Sequence, residues 1–231
     1  MKIAFLIIGT NKYLNLAQNC AASIKTYVKI PNCEVKCHIF SNCPKFDPYY
    51  DDNLYHQVDH LPWPLITLLR YHTFLRYRQY LDDYDYIYYI DSDMCIINNI
   101  GEEILGERVA LQHPGLWGQN QHMPFERNPN SSAYMPLSAY RNYYFGAFQG
   151  GSKNEFLKMC ETLNGRINDD LKKNKIAVWH DESQYNKYCA ENRPTVVLDK
   201  KYAHVEKWFG PPTKETKIVC VEKDNDKMRK E

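Results

Sequence analysis

In the stretch YDYIYYIDSDMCI, residues 84–96, two carboxylates, Asp91 and Asp93, stand one residue apart at the end of an aromatic and aliphatic run. In an extended chain residues i and i+2 point to the same side, so both acids can face one object. Like charges held that close need a proton, a cationic side chain or a metal ion to offset their repulsion. Hard oxygen ligands suit Mn²⁺ or Mg²⁺. A divalent cation here would bridge diphosphate oxygens and offset the charge developing on a leaving nucleotide. The plain alternative is a solvated turn, since Asp is common in turns and a single Asp-x-Asp is a weak signal. The buried character of the preceding run favours the metal reading.

A second candidate is VWHDESQYNKY, residues 178–188. Asp181 is placed to cap a following helix. Glu182 then falls in the first turn, where the helix dipole favours an ionised carboxylate. That is the form required of a nucleophile or cation-stabilising group in glycosyl chemistry. Taken alone, the segment reads more simply as capping. Two zinc-like patterns carry less. His56 and His60 in YHQVDH have ligand spacing but no Glu after the first His and no helical context. Cys33, Cys37 and Cys43 cluster in sequence, yet Val35, Cys37 and Ile39 alternate on one strand face, which makes Cys37 a core residue.

The elements that must position these groups follow from periodicity. Ile3–Ile8 reads as a buried strand leading to a Gly9–Thr10–Asn11 turn, followed by a helix from about Leu14 to Val28 and a strand over Glu34–Phe40. Pro44–Pro64 is loop-rich, with Pro62 and Pro64 bracketing Trp63. Leu65–Asp82 reads as a helix with Leu68, Tyr71, Phe74 and Leu81 on one face and Arg70, Arg76 and Arg78 off it. Tyr84–Ile90 is a buried strand. This alternation predicts a parallel α/β sheet in the first half. Ligands of such sheets lie beyond the carboxyl ends of the strands, where the Gly9 turn and Asp91 fall. The second half is less regular, with a helix around Asn154–Leu163 or somewhat beyond.

The 231 residues, 44% hydrophobic and 14% aromatic, suit one large domain or two fused lobes with a substantial core. Lys plus Arg is 29 against 28 for Asp plus Glu, a net charge of +1 that gives no support to a general nucleic-acid or membrane-surface binder. No stretch has the roughly 20 apolar residues of a spanning helix or the features of a secretory signal. A cytoplasmic location is therefore expected, with the inner membrane face as the alternative, and the eight cysteines are expected to be reduced.

Five motifs in order, IDSDM at 90–94, HPGLWG at 113–118, FERNPNSSAYMP at 125–136, YYFGAFQGG at 143–151 and AVWHDESQYNKY at 177–188, resemble glycosyltransferase family six. This is the family of the histo-blood-group A and B transferases and the alpha-1,3-galactosyltransferase, and the likeness runs from Asn11 to the tail. It implies an α/β fold of the GT-A type, a Rossmann-like mixed sheet with a metal-binding Asp-x-Asp at a strand end. The implied layout is one domain over 1–231. About 1–100 would bind nucleotide sugar, about 101–210 would hold acceptor and catalytic groups, and 211–231 would close over UDP.

The resemblance also implies roles. Asp91 and Asp93 match the metal ligands; some bacterial relatives carry Asn at both and dispense with metal, whereas this chain keeps both acids. Glu182 matches the catalytic carboxylate beneath the sugar, and Asp181 a residue holding donor hydroxyls. Ile8, Thr10 and Tyr13 match the uridine-binding stretch, Arg70 an arginine near donor and metal, and Lys223 and Arg229 tail cations that close over the diphosphate. Structurally plainer roles for these cations are a surface ion pair and solvated terminal charges. His113 and Trp179, with Glu182, match acceptor contacts, an aromatic face suiting the C–H surface of a sugar. Phe145, Gly146 and Ala147 fall where donors are chosen. The Ala147 methyl favours galactose over N-acetylgalactosamine, a contact worth about 1–3 kcal/mol. Gly146, Gly150 and Gly151 would let the backbone approach the sugar, or else mark turns.

Pro124, Phe145, His204 and Val205 depart from the mammalian pattern and put the acceptor's identity in question. The expectation is a Mn²⁺-dependent (alternatively Mg²⁺) retaining enzyme. It would move galactose, or N-acetylgalactosamine, from UDP to a galactose-terminated glycan in alpha-1,3 linkage. Without the membrane stem of mammalian relatives, a bacterial or viral form is expected. A carbohydrate-binding protein that has lost turnover and a metal-dependent phosphohydrolase are the rivals. Retention of Asp91, Asp93 and Glu182 argues against the first, and the lack of a second acidic cluster against the other.

Overall fold

The computed structural model describes residues 1–43, 52–118, 123–138 and 142–229. Nine strands are described: β1 (Lys2–Ile8), β2 (Glu34–Ser41), β3 (Leu54–Gln57), β4 (Tyr86–Ile90), β5 (Met94–Ile96), β6 (Val109–Gln112), β7 (Tyr144–Ser152), β8 (Val196–Leu198) and β9 (Ile218–Cys220). Seven of them form one sheet in the order β3-β2-β1-β4-β7-β6-β8, and β5 pairs with β9 in a separate ribbon. β3, β2, β1 and β4 run parallel, as the alternation of elements implies. β7 then runs antiparallel to both β4 and β6, and β8 is parallel to β6. This mixed α/β arrangement fits a GT-A-like fold.

The helices are α1 (Leu14–Tyr27), α2 (Leu65–Leu68), α3 (Arg70–Arg76), α4 (Lys153–Lys172), α5 (His180–Glu191), α6 (Glu206–Phe209) and α7 (Asn225–Arg229). α1 covers one face of the sheet, where Ala17, Cys20, Ala21 and Ile24 join Phe5, Ile7, Cys37 and Ile39 in one core cluster. α3, α4 and α5 cover the other face in a second cluster with Leu6, Phe40 and Tyr89. Cys37 is fully buried in the core, as its alternation with Val35 and Ile39 implies. Among the described residues no helix is long and apolar enough to cross a membrane, and all eight cysteines are free thiols.

Two expectations need correction. The helix read over Leu65–Asp82 is broken into α2, α3 and a 3-10 turn at Arg78–Tyr80, although its apolar face, Leu68, Tyr71, Phe74 and Leu81, is buried as expected. The break falls at Leu69, and Arg70 Nε donates 3.0 Å to the Thr67 carbonyl beside it. A side chain thus takes a carbonyl at the end of α2. The loop-rich reading of Pro44–Pro64 missed β3, a four-residue edge strand.

β7 is irregular where it matters. Ala110 of β6 pairs with Gln149, but the next residue, Leu111, pairs with Phe145, so Gly146, Ala147 and Phe148 bulge out of the β6 ladder, although Phe148 still pairs with Ile90 of β4. Bulges re-aim side chains and free backbone groups, often beside functional sites. Gly150 and Gly151 serve the sheet rather than a sugar or a turn. A Cβ at Gly150 would collide with the Ile87 carbonyl oxygen, and one at Gly151, where φ is 139°, with that of Glu107.

Candidate functional site

The carboxyl ends of β1, β2 and β4 open onto a cleft of about 1030 Å³. Ile8, Thr10 and Tyr13 line it from the end of β1, and Trp63, Ile66 and Thr67 from the segment entering α2. The β1 turn is fixed by side chains. Asn11, in the left-handed region at φ 50°, donates its backbone N–H to Asn42 Oδ1 at 2.8 Å, while Asn42 Nδ2 donates to Asn11 Oδ1 at 2.6 Å. Thr10 Oγ1 lies 2.8 Å from His60 Nδ1. His60 is therefore engaged with the turn, and His56 pairs instead with His38.

Asp91, Ser92 and Asp93 form another wall, facing Lys223, Asn225 and Met228 of the tail. The tail is held there by backbone. β9 pairs with β5 immediately after Asp93, and the Val221 N–H donates 2.7 Å to the Asp93 carbonyl. Lys223 Nζ bonds the Asp93 carboxylate and lies 5.2 Å from the centre of the Tyr13 ring. Burial and the neighbouring Asp91 charge push the Asp93 carboxyl up, against the pull of Lys223. One lysine thus partly answers a carboxylate pair that shares a cleft wall. Among the described residues no three His, Cys, Asp or Glu side chains group to hold a metal ion. The donor chemistry of the pair, two carboxylates on one wall, is of the hard-oxygen kind that suits a divalent cation.

Arg70 ties this wall to the second carboxylate pair. It is 4% exposed, although the helical pattern set it off the buried face and an exposed ion pair was its plainer role. The reason is a set of acceptors that only a guanidinium can serve together. Nη1 donates to Asp91 Oδ1 at 3.5 Å and to the Gly146 carbonyl at 3.3 Å, and Nη2 lies 3.1 Å from Asp181 Oδ2. Its guanidinium carbon sits 4.2 Å from the centre of the Tyr89 ring, and the Tyr89 hydroxyl donates to Asp91. Burial pushes the Asp181 carboxyl up to about 6, Arg70 opposing that shift and Asp91 adding to it.

Asp181 is not the helix cap expected of it. Trp179 occupies the cap position, and the Ser183 hydroxyl accepts from the Trp179 N–H at 3.0 Å. The chain enters α5 through His180 at φ 50°, a conformation uncommon for a residue with a Cβ. Asn186 then clamps α5 to β7. Its Oδ1 accepts from the Tyr144 N–H at 2.8 Å, and its Nδ2 donates to the Tyr144 carbonyl at 2.9 Å. This register sets Glu182 against the bulge, where the Gly146 N–H donates 2.8 Å to Glu182 Oε2. A Cβ at Gly146 would lie 3.3 Å from that oxygen, so the close fit depends on glycine. Burial pushes the Glu182 carboxyl up to about 7, and the Gly146 N–H works against that shift. The Tyr143 hydroxyl approaches the same carboxylate without making a hydrogen bond of ordinary geometry.

The three bulged residues therefore serve the site with backbone as much as with side chains. The Ala147 carbonyl accepts from the Asp91 N–H at 2.8 Å, completing a path from Asp91 through β7 to Glu182. The Ala147 methyl belongs to the buried core cluster with Phe5, Ile90 and Leu111, and among the bulged residues it is Gly146 whose backbone faces Glu182. Phe145 meets His113 edge-on at 5.0 Å. Burial lowers the His113 pKa to about 4, and its Nδ1 accepts from the Gly115 N–H at 3.1 Å, which leaves the proton on Nε2. Trp179 is half exposed at the start of α5.

Asp91, Asp93, Ile8, Thr10, Tyr13 and Lys223 thus share the cleft, and Arg70, Asp181, Glu182 and Gly146 share the adjoining hydrogen-bonded cluster. His113 and Phe145 adjoin that cluster through β7. The side chain of Arg229 lies outside the described residues. Sequence reasoning missed Tyr89, although it stands two residues before Asp91 on the same strand face and could have been found there. It also missed the Thr10–His60 and Asn11–Asn42 pairs, which join segments far apart in the chain and leave no local signal.

Comparison with known proteins places this arrangement. The sequence model of glycosyltransferase family 6 matches residues 58–230. The chain is 33% identical over 155 residues to histo-blood group ABO system transferase 2 of Rattus norvegicus, covering 66% of this chain and 46% of that protein. It is 30% identical over 202 residues to the O-antigen biosynthesis glycosyltransferase WbnI of Escherichia coli, covering 85% of each. It is 25% identical over 239 positions to globoside alpha-1,3-N-acetylgalactosaminyltransferase 1 of Homo sapiens, covering 99% of this chain and 69% of that protein. The chain spans a little under half the length of the rat transferases it matches.

Proposed function

Because the chain belongs to glycosyltransferase family 6, we propose that it is a retaining hexosyltransferase. It moves galactose, or alternatively N-acetylgalactosamine, from UDP to a galactose-terminated glycan in alpha-1,3 linkage. The observation that carries this reading is the continuous hydrogen-bonded path from Asp91 through Arg70 and the Gly146 backbone to Glu182, beside the cleft. It connects a diphosphate-binding wall to a carboxylate suited to an anomeric centre. The names of the relatives support the sugar class, one being an alpha-1,3-N-acetylgalactosaminyltransferase.

Ile8, Thr10 and Tyr13 bind the uridine. Asp91 and Asp93 hold Mn²⁺, or Mg²⁺ in its place, which when bound supplies positive charge to the diphosphate. Lys223, already against Asp93 and Tyr13, adds a second positive charge where UDP departs. Arg70 keeps Asp91 and Asp181 apart and oriented, and Asp181 holds donor hydroxyls. Glu182, fixed by the Gly146 N–H, must be ionised to serve the anomeric carbon as nucleophile or as counter-charge to an oxocarbenium-like centre. His113 offers its Nε2–H to the acceptor, and Trp179 offers an apolar face.

Incubation with UDP-galactose, Mn²⁺ and lactose, following UDP release and new saccharide, tests the reading. Saccharide should form, Asp93→Asn should remove the stimulation by metal, and Glu182→Gln should lower turnover by roughly 10³-fold or more while sparing UDP binding. Binding of UDP-galactose without turnover would indicate the lectin-like rival, and cleavage of unrelated phosphate esters the hydrolase. Full activity of Asp93→Asn in EDTA would remove the metal assignment.

A further inference from the structure

Trp208 is 56% exposed, yet its backbone is hydrogen-bonded and its ring has an aromatic neighbour. It sits in α6, where its N–H donates to the Val205 carbonyl at 3.0 Å and the Gly210 N–H closes the turn on Glu206 at 2.7 Å. Gly210 leaves the helix at φ 74°, and its carbonyl oxygen lies 2.8 Å from His204 Nε2. His204 is itself sewn into the β9 edge through backbone bonds with Ile218 and Cys220. The indole lies at 30° to the His113 ring with centroids 6.4 Å apart. A Cβ at Gly115 would come within 3.4 Å of the indole, so the turn after His113 makes room for it. A large apolar surface is thus carried on a hydrogen-bonded turn, set against His113 and left open to solvent.

Its neighbours give that surface a direction. His113 is neutral with its proton on Nε2, and Phe145, edge-on to His113, directly precedes Gly146, whose N–H holds Glu182. An indole face, an imidazole donor and the Glu182 carboxylate therefore succeed one another along one side of the site. A pyranose with an axial 4-hydroxyl gathers its C3, C4 and C5 hydrogens into one apolar patch that lies flat on an aromatic ring, whereas an equatorial 4-hydroxyl breaks that patch up.

We propose that Trp208 is a specificity-determining residue of the acceptor site, a platform for the apolar face of a galacto-configured sugar whose hydroxyls reach His113. The inference rests on the transferase reading above and names the residue that sets acceptor choice. Trp208→Ala should raise the acceptor KM for lactose about tenfold and narrow the preference for β-galactosides over β-glucosides, while Trp208→Phe keeps most of both. The UDP-galactose Kd, measured by calorimetry, and the melting temperature should stay unchanged in both variants. An unchanged lactose KM in Trp208→Ala overturns the proposal. So does a loss that Phe does not rescue and that is matched by weaker donor binding, which is a purely structural effect. Saturation-transfer NMR with methyl β-galactoside separates this failure from failure of the transferase reading. Transfer to H3, H4 and H5 that disappears in Trp208→Ala supports the platform even if UDP-galactose does not bind, and no transfer to the wild-type protein overturns it even if UDP-galactose does.

Discussion

The histidine pair at the β2–β3 edge and the arginine–carboxylate cluster between β4 and β7 are both buried groups of titratable side chains, and they are balanced in opposite ways. His38 Nδ1 lies 2.8 Å from His56 Nε2, and His38 Nε2 lies 2.8 Å from the Tyr84 hydroxyl. The imidazoles are stacked at 5.1 Å. Burial lowers the pKa of His38 to about 3 and of His56 to about 4, so both are neutral near pH 7 and each answers the other. In the second cluster Arg70 faces two carboxylates, Asp91 and Asp181, and burial pushes Glu182 up to about 7. Asp91 also lines an open cleft. Burial of titratable groups alone therefore does not mark a site. Surplus charge beside an opening does, because a ligand can supply the missing partner.

The sharpest way to break this comparison is to remove the cation that holds the unbalanced cluster. Arg70→Met should cost about 3–5 kcal/mol, since it leaves buried carboxylates facing one another, and the urea midpoint should fall accordingly. A loss below about 1 kcal/mol would mean that the acids are relieved by water and the cluster is not strained.

The next effect tests the balanced pair. The folded-state pKa values of His38 and His56 lie below the ordinary 6.5, so the unfolded chain takes up protons first and stability is lost as pH falls below about 6.5. Between pH 7 and pH 5 the pair alone should contribute a loss of about 2–4 kcal/mol, opposed by the acids of the other cluster, and His56→Phe should remove part of that loss relative to the wild-type protein. The same pH dependence in the wild-type protein and in His56→Phe would show that the pair is not held neutral.

Glu182 carries the opposite sign. Its folded pKa of about 7 exceeds the ordinary 4.5, so the folded state keeps its proton longer and loses stability as pH rises through about 7. Glu182→Gln should therefore be more stable than the wild-type protein by about 1–3 kcal/mol at pH 8, the difference shrinking as pH falls and vanishing below about 4.5. The same shift implies that wild-type turnover rises with pH through about 7, which a pH–rate profile of kcat/KM would read. The smallest effect is expected at Ala147. Because its methyl is in the core, Ala147→Gly should shift the ratio of UDP-N-acetylgalactosamine to UDP-galactose use by less than about tenfold. An unaltered ratio would place the donor-selecting contact elsewhere on the bulge.

The parallel half of the sheet was legible because its signals are local. Apolar runs at Ile3–Ile8 and Tyr84–Ile90 and the alternation around Cys37 each mark a buried strand within a few residues. β6, β8 and β9 are three or four residues long, too short for a period to show, and their pairings span most of the chain. β7 was obscured by its three glycines, which signal turns in most settings, whereas here two of them allow backbone contact and the third receives Glu182. The broken helix at Leu69 escaped notice for a related reason: periodicity records which face is apolar, and Arg70 is buried by partners that lie elsewhere in the sequence. The acids were legible by type and spacing. The hub that joins them was not, since three of its contacts, with Asp91, Gly146 and Asp181, are made only by folding.

The bulge at Gly146–Phe148 bears on how such a protein diversifies. Its carbonyls and amides hold Arg70, Asp91 and Glu182, and peptide groups are common to nearly every residue type. Exchanges of side chains along the bulge, such as Phe145 against His113, can therefore change its surroundings while the hydrogen-bonded scaffold stays in register. A lineage could vary those side chains in single steps, without first rebuilding the backbone bonds that hold the acids and the arginine.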